Sequence, residues 1–219
     1  MAERKARADA LRNREAVLSA ADELFARSAS PRSVSMDDIA AAAGVGKGTL
    51  FRRFGDRTGL IRAVFDARIE PLRQAVVEGP APLGPSAAPH ARVPALLDAL
   101  LCFKLDHRHL SLALEEAGSG SPYQGASYAW WHGILREMLE RADTEIGAAA
   151  DTAAAGAATG VAAGAAAAAA ARDGDFAAHV LLAATRADLV EHLAGQEGVT
   201  RDRLRAQLAV FVARVLGAG

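Results

Sequence analysis

The chain has 219 residues, of which 51% are hydrophobic and 23% are charged, and its formal net charge is −1. This length suits one small domain plus one larger domain, and the composition is typical of a soluble globular protein. A single cysteine, Cys102, excludes an internal disulfide, and residues 1–15 carry charges instead of the apolar core of a secretory signal. We therefore expect a cytoplasmic protein in which Cys102 packs rather than reacts.

The first predicted helix covers residues 11–27. Its apolar positions recur at i, i+4, i+7 and i+8, which places one stripe on a single face. The stripe consists of Val17, Ala21, Leu24 and Phe25. We expect this face to cover the back of a small N-terminal domain.

Residues 35–54 have the pattern of a short acidic helix, a glycine turn and a short basic helix. Ser35 and Asp38 form a predicted capping box at the start of the first of these helices. Gly44 can adopt the positive φ that ends it, and residues 47–54 form the second helix. This is the sequence pattern of a helix-turn-helix, which lays its second helix in the DNA major groove.

Charge is distributed unevenly along the chain. Residues 1–60 hold 11 Lys and Arg against 8 Asp and Glu, whereas the remainder holds 14 against 18. Such asymmetry is expected when only one part of a protein meets phosphate. Alanine-rich helices with flanking arginines also occur as ordinary solvated surfaces, so spacing alone leaves that alternative open.

Residues 14–65 resemble the N-terminal domain of the TetR family of bacterial transcriptional regulators. The resemblance is carried by residues 16–25, 35–40 and 44–54. It implies an all-α fold, with an N-terminal three-helix helix-turn-helix DNA-binding domain and a C-terminal helical ligand-binding and dimerisation domain. It also implies a set of residues that contact double-stranded DNA: Ser35, Lys47, Gly48, Thr49, Phe51, Arg53 and Arg57. Arg52 is a further candidate, because arginine can pair bidentately with guanine.

Two residues depart from the family pattern. Phe51 stands where tyrosine is usual, so a hydroxyl-to-phosphate bond is missing. Gly46 stands where serine or threonine is common, so the second helix lacks a side-chain cap. Arg53 can compensate for the first loss with its charge.

The predicted domain organisation is a DNA-binding domain at 10–56, a connecting helix at 57–78, a linker at 79–92 and a C-terminal domain at 93–219. The connecting helix turns Leu60, Ile61, Val64 and Phe65 inward. Five of the eight prolines fall between residues 79 and 94, which disfavours helix and strand there. Pro71 either kinks the connecting helix, making it a lever, or ends one helix and starts the next.

The C-terminal domain is predicted to be helical throughout. Its expected helices cover 93–105, 109–117, a long segment from Ser121-Pro122, 176–193 and 200–216, with a turn at 173–175. Residues 148–171 contain 17 alanines in 24 positions, and three glycines recur there every four residues. Alanine is only weakly apolar and Asp151 interrupts the run, so we expect no membrane span. The glycines can allow close helix packing, but we favour compositional drift.

In proteins that this chain resembles, the last two long helices form a four-helix interface between two copies. A homodimer also suits a helix-turn-helix, which binds two half-sites. The candidate interface residues are Leu181, Leu189, Leu204, Leu208, Phe211 and Val212.

The effector site is predicted from aromatic and histidine residues, because ligand pockets are mostly apolar with a few polar groups. The candidates are Phe103, His107, Tyr123, Tyr128, Trp130 and Trp131, with His132 beside them. Adjacent tryptophans cannot share one helix face, so at most one points fully inward. The alternative for each is an ordinary core or surface role.

Metal and cofactor sites are not expected. His107 and His109 are two residues apart and face different ways on a helix, and Asp188 with His192 is better spaced but isolated. No phosphate loop or Gly-x-Ser-x-Gly motif is present, so an enzyme is not expected. The leading interpretation is a homodimeric repressor that a small-molecule effector releases from its operator. The alternative is a ligand-independent, chromosome-organising DNA-binding factor on the same fold.

Overall fold

The computed structural model describes residues 1–28, 31–117, 123, 125–156 and 173–217. Helices account for most of these residues, and no strand occurs among them. In chain order the α-helices are α1 (Ala2–Arg27), α2 (Met36–Ala42), α3 (Lys47–Phe54), α4 (Arg57–Glu78), α5 (Pro89–Asp106), α6 (Arg108–Ala117), α7 (Ala126–Gly156), α8 (Gly174–Ala183), α9 (Ala187–Glu191) and α10 (Arg201–Val215). A 3₁₀ turn at Pro31–Ser33 precedes α2, and a π-helical turn at His192–Gln196 follows α9. The predicted all-α fold class is confirmed.

The helices form two compact units. The first comprises Met1–Pro71 together with Phe103–Gly120, and the second comprises Leu72–Cys102 together with Ser121–Gly219. This division differs from the predicted boundaries, which assigned everything after residue 92 to the C-terminal domain. The physical reason is that the end of α5 and all of α6 pack with the N-terminal helices, as when Phe103 meets the Phe65 ring edge-on at 5.3 Å.

The core of the first unit follows the predicted amphipathic stripes. In α1, Val17, Ala21 and Phe25 are buried, while Leu24 is half-buried. The four residues that we predicted to face inward from α4 are all buried: Leu60, Ile61, Val64 and Phe65. Ile39 of α2 and Leu50 of α3 are also buried, and α2 packs against both α1 and α3, which fixes the two short helices in the unit.

The structure excludes one of the two alternatives for Pro71 and corrects the predicted end of the linker. Helix α4 continues through Pro71, so this proline does not end one helix and start another. Helix α5 begins at Pro89, three residues before the predicted end of the linker, and also contains Pro94. Pro89 is tolerated because the first helical position needs no amide hydrogen. The connection between α4 and α5 is therefore shorter than predicted and ends at Ala88.

Arg92 holds this connection in place within the second unit. Its Nε donates to the Leu83 carbonyl and its Nη2 to the Val76 carbonyl, both at 3.0 Å, and the side chain is buried. Burial lowers the pKa of Arg92, because desolvation penalises its charge. The guanidinium thus satisfies carbonyls at the end of α4 and in the following loop.

The predicted helix at 176–193 is instead two helices. Asp173 caps α8 by accepting hydrogen bonds from the amides of Asp175 and Phe176, so the expected turn at 173–175 is the start of the helix. After α8, the Thr185 hydroxyl donates to the Leu182 carbonyl, and Arg186 is extended at φ −64° and ψ 145°. An extended residue cannot continue a helix, so α9 starts afresh at Ala187.

The long helix α7 begins at Ala126 rather than at Ser121-Pro122, and those two residues lie outside the described part of the chain. The alanine-rich segment is described only as far as Gly156, where α7 ends, so residues 157–171 also lie outside it. Within the described residues, none of the helices combines the length and the hydropathy that a membrane span requires.

Candidate nucleic-acid interface

The capping box predicted at the start of α2 is confirmed. The Asp38 amide donates to the Ser35 hydroxyl oxygen at 3.1 Å, and the Ser35 amide donates to the Asp38 carboxylate at 3.1 Å. The Ser35 hydroxyl also donates to that carboxylate at 2.6 Å. This side-chain bond, followed by the backbone bond, lowers the pKa of Asp38. The Ser35 and Asp38 amides, which are two of the donors at the start of α2, are thereby satisfied by one residue pair.

A glycine turn then redirects the chain into α3. Gly44 has φ +65°, which is a left-handed conformation that favours glycine, and the Val45 amide donates to the Ala40 carbonyl at 3.0 Å. Gly46 caps α3 without a side-chain hydrogen bond, as its sequence predicted. The turn therefore sets the angle between α2 and α3 through backbone contacts.

The outer face of α3 carries most of the predicted DNA contacts. Six of these residues are exposed: Lys47, Gly48, Thr49, Phe51, Arg52 and Arg53. Leu50 is buried on the opposite side and anchors the helix. A Cβ added at Gly48 would meet nothing within 4 Å, so this position leaves the helix backbone open to a close approach. Arg52 is among the exposed residues, so its guanidinium is accessible to a partner.

Lys47 is paired across the turn. Its Nζ lies 2.7 Å from the Asp37 carboxylate and 6.0 Å from the centroid of the Phe51 ring. Both charged side chains are exposed, so solvent screens the pair and its contribution to stability is small. Sequence reasoning missed Asp37 as a member of this surface and treated it only as a helix-dipole residue.

Two predicted phosphate ligands hold the helix-turn-helix together. Arg53 Nη1 donates to the Ala10 carbonyl of α1 at 2.6 Å. Arg57 is half-buried, and its Nε donates to the Val34 carbonyl at 3.2 Å while its guanidinium stacks over the Phe25 ring. Because Val34 precedes the cap residue Ser35, Arg57 connects α4 to the start of α2.

Comparison with known proteins bears directly on this arrangement. Residues 17–64, which span most of α1 to the middle of α4, match the profile of the bacterial regulatory proteins of the tetR family. Residues 17–64 are therefore similar to the DNA-binding domain of TetR-family regulators. Their match covers the capping box, the glycine turn and the whole of α3.

One curated relative is an HTH-type transcriptional regulator of Staphylococcus aureus (strain MRSA252). It is 34% identical over 70 residues, which are 32% of this chain. The matched segment spans 37% of the length of that relative, or little more than a third. This similarity therefore concerns only part of each protein.

Solved structures extend the likeness to the whole fold. A TetR-like transcriptional regulator from Rhodococcus sp. RHA1 superposes with a TM-score of 0.58 at 20% identity, covering 94% of this chain and 97% of that one. NalD of Pseudomonas aeruginosa, the secondary repressor of the MexAB-OprM multidrug efflux pump, gives 0.55 at 15% identity, covering 93% and 96%. At these identities the likeness establishes a TetR-like fold.

The six predicted effector residues do not lie together in one unit of this TetR-like fold. Phe103 and His107 belong to the first unit, where their rings lie 4.7 Å apart. The remaining four belong to the second unit, where they form two contacting pairs: Tyr123 with Tyr128 at 5.2 Å and Trp130 with Trp131 at 4.6 Å. Trp131 is buried and Trp130 half-buried, which agrees with the expectation that only one points fully inward.

A cleft opens in the first unit beside His107. Its volume is about 360 Å³, at the lower end of the range for small-molecule sites. The lining comprises Asp22, Phe25 and Ala26 of α1 and residues 105–110, where α5 passes into α6. Asp22 pairs with Arg68 at 2.6 Å, so its carboxylate is neutralised at the rim. Of the predicted effector residues, only His107 lines this cleft.

The predicted dimer residues separate by burial. Leu181, Leu204, Leu208 and Val212 are buried within the protomer, so their side chains offer little surface to a second copy. Leu189 and Phe211 are exposed by 38% and 37%. Val210 is exposed by 53% and was not among the predicted residues. Core and interface positions of α8 and α10 share the same apolar pattern, so the sequence alone does not separate them.

Two pairs were considered in the sequence, His107 with His109 and Asp188 with His192. Neither belongs to a cluster of metal-ligating groups among the described residues. Asp188 accepts hydrogen bonds from Arg186, and His192 contacts Gln196 and Glu197. A different group lies together in the second unit: His132, Asp175 and His179. Sequence reasoning missed it because His132 and Asp175 are 43 positions apart. A shared contact between α7 and α8 has no sequence signature.

Proposed function

We propose that this chain is a homodimeric transcriptional repressor that binds double-stranded DNA through α3 and is released by a small-molecule effector. The observation that carries the proposal is the exposed basic face of α3, presented by a capped α2 and a glycine turn within residues 17–64. A helix presented in this way fits the major groove. The proposal also places the protein in the cytoplasm, where it can reach the chromosome.

Each residue of the α3 face has a proposed role. Lys47, Gly48 and Thr49 begin the helix, where backbone amides and a positive dipole favour phosphate. Arg52 has the length and the paired donors to reach guanine O6 and N7. Ser35, Phe51, Arg53 and Arg57 would flank this contact along the phosphate backbone. Arg53 and Arg57 would do so while retaining the protein contacts that hold α3 and α4.

Dimerisation is supported by the exposed apolar residues of the second unit. Val210 and Phe211 are adjacent on α10, and Leu189 lies on α9. A second copy with the same patch would bury these residues in a symmetric interface. Two copies of α3 would then meet half-sites about one helical turn of DNA apart.

Repression and effector release are the finer parts of the proposal. The fold is shared with NalD, which is a repressor. The cleft beside His107 is large enough for a small ligand and is lined by α1, which packs against α2. Effector binding there would favour one arrangement of the DNA-binding helices over another, with a coupling of roughly 1–3 kcal/mol.

The test is a gel-shift titration of purified protein on the DNA upstream of its own coding sequence, at two salt concentrations. We expect a specific shift that competitor DNA does not abolish. Arg52→Ala should cost about 1–3 kcal/mol and relax sequence preference at one position of each half-site. Arg62→Ala is the matched control, because Arg62 is an exposed arginine of α4 that is not among the proposed DNA contacts.

Equal losses in both arginine variants would contradict the assignment of α3 as the reading helix. Weak binding that depends on salt alone, and not on sequence, would favour the chromosome-organising alternative. A specific shift that no candidate metabolite reverses would leave repression standing and remove the effector from the proposal.

A further inference from the structure

We propose that His132, Asp175 and His179 form a binding site for a divalent first-row transition-metal ion between α7 and α8. Each residue offers one ligand atom, and the three atoms lie within 4.8 Å of one another. Two imidazoles and one carboxylate are a donor set that Zn²⁺ and its neighbours bind. The proposal concerns the second unit alone and does not depend on DNA binding.

Each histidine lies near the Asp175 carboxylate at close to the spacing of ligand atoms around a metal ion. His132 Nε2 lies 3.5 Å from Asp175 Oδ1, and His179 Nε2 lies 3.7 Å from Asp175 Oδ2. Ligand atoms around a tetrahedral zinc ion are separated by about 3.3 Å, given bonds of about 2.0–2.2 Å. The imidazole rings are stacked with centroids 4.0 Å apart. The two imidazole nitrogens lie within 4.8 Å of each other, so binding one ion requires the rings to bring these nitrogens to the tetrahedral separation.

Tyr128 orients one of the ligands. Its hydroxyl lies 2.5 Å from His179 Nδ1, on the side of the ring away from Asp175. When Nδ1 carries the proton and donates it to this oxygen, Nε2 keeps its lone pair for a metal. Such an outer partner is the usual companion of a metal-binding histidine.

Two contacts compete with the ion. His132 Nε2 lies 3.2 Å from the Asp175 carbonyl oxygen, and a metal would take the place of a proton shared there. Arg136 Nη1 lies 3.9 Å from Asp175 Oδ1 and would repel a cation. Arg136 also pairs with Glu140 at 3.6 Å, so it has a second acceptor to turn to. We therefore expect Arg136→Gln to tighten metal binding severalfold.

Metal binding would connect two helices that already pack closely. Helix α8 carries Asp175 in its first turn and His179 one turn later, so both face α7 together. His132 is half-buried on α7, whereas Asp175 is exposed. The ion would sit at the edge of this contact with one coordination position open to solvent or to a further ligand.

The experiment is a titration of the full-length, chelator-stripped protein with Zn²⁺ in competition with a chromogenic chelator. We expect one equivalent per chain, with affinity lowered at least a hundredfold in His132→Ala and in His179→Ala. Tyr128→Phe should lower it about tenfold, as outer-partner changes do. His90→Ala is the control, because His90 belongs to the same unit and pairs with Glu145 away from the cluster.

A second readout guards against variants that fail to fold. Co²⁺ bound by the cluster should give visible absorption bands that His179→Gln abolishes, while circular dichroism confirms helical content. The proposal is overturned if no saturable site exists. It is also overturned if folded His132 and His179 variants bind Zn²⁺ as the natural sequence does. In either case the cluster is a hydrogen-bonded contact between helices.

Discussion

Lys47 begins the helix proposed to read DNA, yet its charge is already matched by Asp37 at 2.7 Å. An approaching phosphate must therefore compete with a carboxylate for the same ammonium group. Exposed pairs of this kind contribute about 0.2–1 kcal/mol, so the competition is mild. It still sets part of the affinity, because the carboxylate also repels phosphate.

We predict that Asp37→Asn raises DNA affinity, by up to about fivefold if the whole pair energy is recovered. The measurement is a gel-shift titration at fixed salt. A double-mutant cycle with Lys47→Ala isolates the pair, and when Lys47 is absent the gain should shrink to the part that comes from phosphate repulsion by Asp37. If Asp37→Asn binds DNA no more tightly than the natural sequence, Asp37 does not hold Lys47 back from phosphate.

Sequence patterns predicted this surface unequally. The limits of α3, its exposed residues and the Ser35–Asp38 capping box follow from local rules that connect residues at most four apart. The Asp37–Lys47 pair and the Arg57–Val34 contact depend on the angles between helices. Local sequence patterns do not determine those angles. The cluster of His132, Asp175 and His179 escaped for the same reason.

At the scale of the helix, the capping box makes the start of α2 a single cooperative element. Ser35→Ala removes a hydroxyl that accepts from one amide and donates to the Asp38 carboxylate. We predict a loss of about 1 kcal/mol in the free energy of unfolding at neutral pH, measured by urea denaturation. Thr at this position should restore most of that loss, because its hydroxyl can make the same bonds.

This capping interaction also has a defined pH dependence. The pKa of Asp38 is lowered in the folded chain, so the pair stabilises above the ordinary carboxyl pKa and is lost as pH falls through the folded value. The difference between natural protein and Ser35→Ala should accordingly shrink in acid. A difference that stays constant down to strongly acidic pH would contradict a role for the Asp38 carboxylate.

The connection between α4 and α5 illustrates how one side chain can override local composition. Its prolines predicted a flexible linker as far as residue 92, but Pro89 starts α5 and buried Arg92 reaches back to two carbonyls. We predict that Arg92→Ala lowers the free energy of unfolding by about 2–3 kcal/mol, because it orphans both carbonyls. Arg92→Lys should recover only part of this loss, because an ammonium group lacks the forked geometry with which the guanidinium reaches both carbonyls.

Denaturant titration followed by circular dichroism measures that difference. Arg203→Ala provides a control, because Arg203 is an exposed arginine of α10 in the same unit. If Arg92→Ala is no less stable than this control, the connection is held by its own backbone turns.

At the scale of the whole molecule, burial within the protomer limits which substitutions can test the dimer. Residues predicted from the apolar stripe of α10 include Leu208 and Val212, which are buried in the protomer. A charged substitution there would unfold the second unit, and the loss of a dimer would say nothing about its interface. Exposed positions on the same helix avoid this ambiguity.

Phe211→Arg is therefore the informative change. The Phe211 side chain is 37% exposed and lies beside Val210, so arginine fits the protomer while placing like charges against each other across a symmetric interface. We predict a monomer by light scattering, with unchanged helical content and weakened operator binding. Arg214→Ala on the same helix is the control and should stay dimeric. A Phe211→Arg protein that remains a dimer would place the interface on another surface, because two buried arginines without partners cannot be accommodated at low cost.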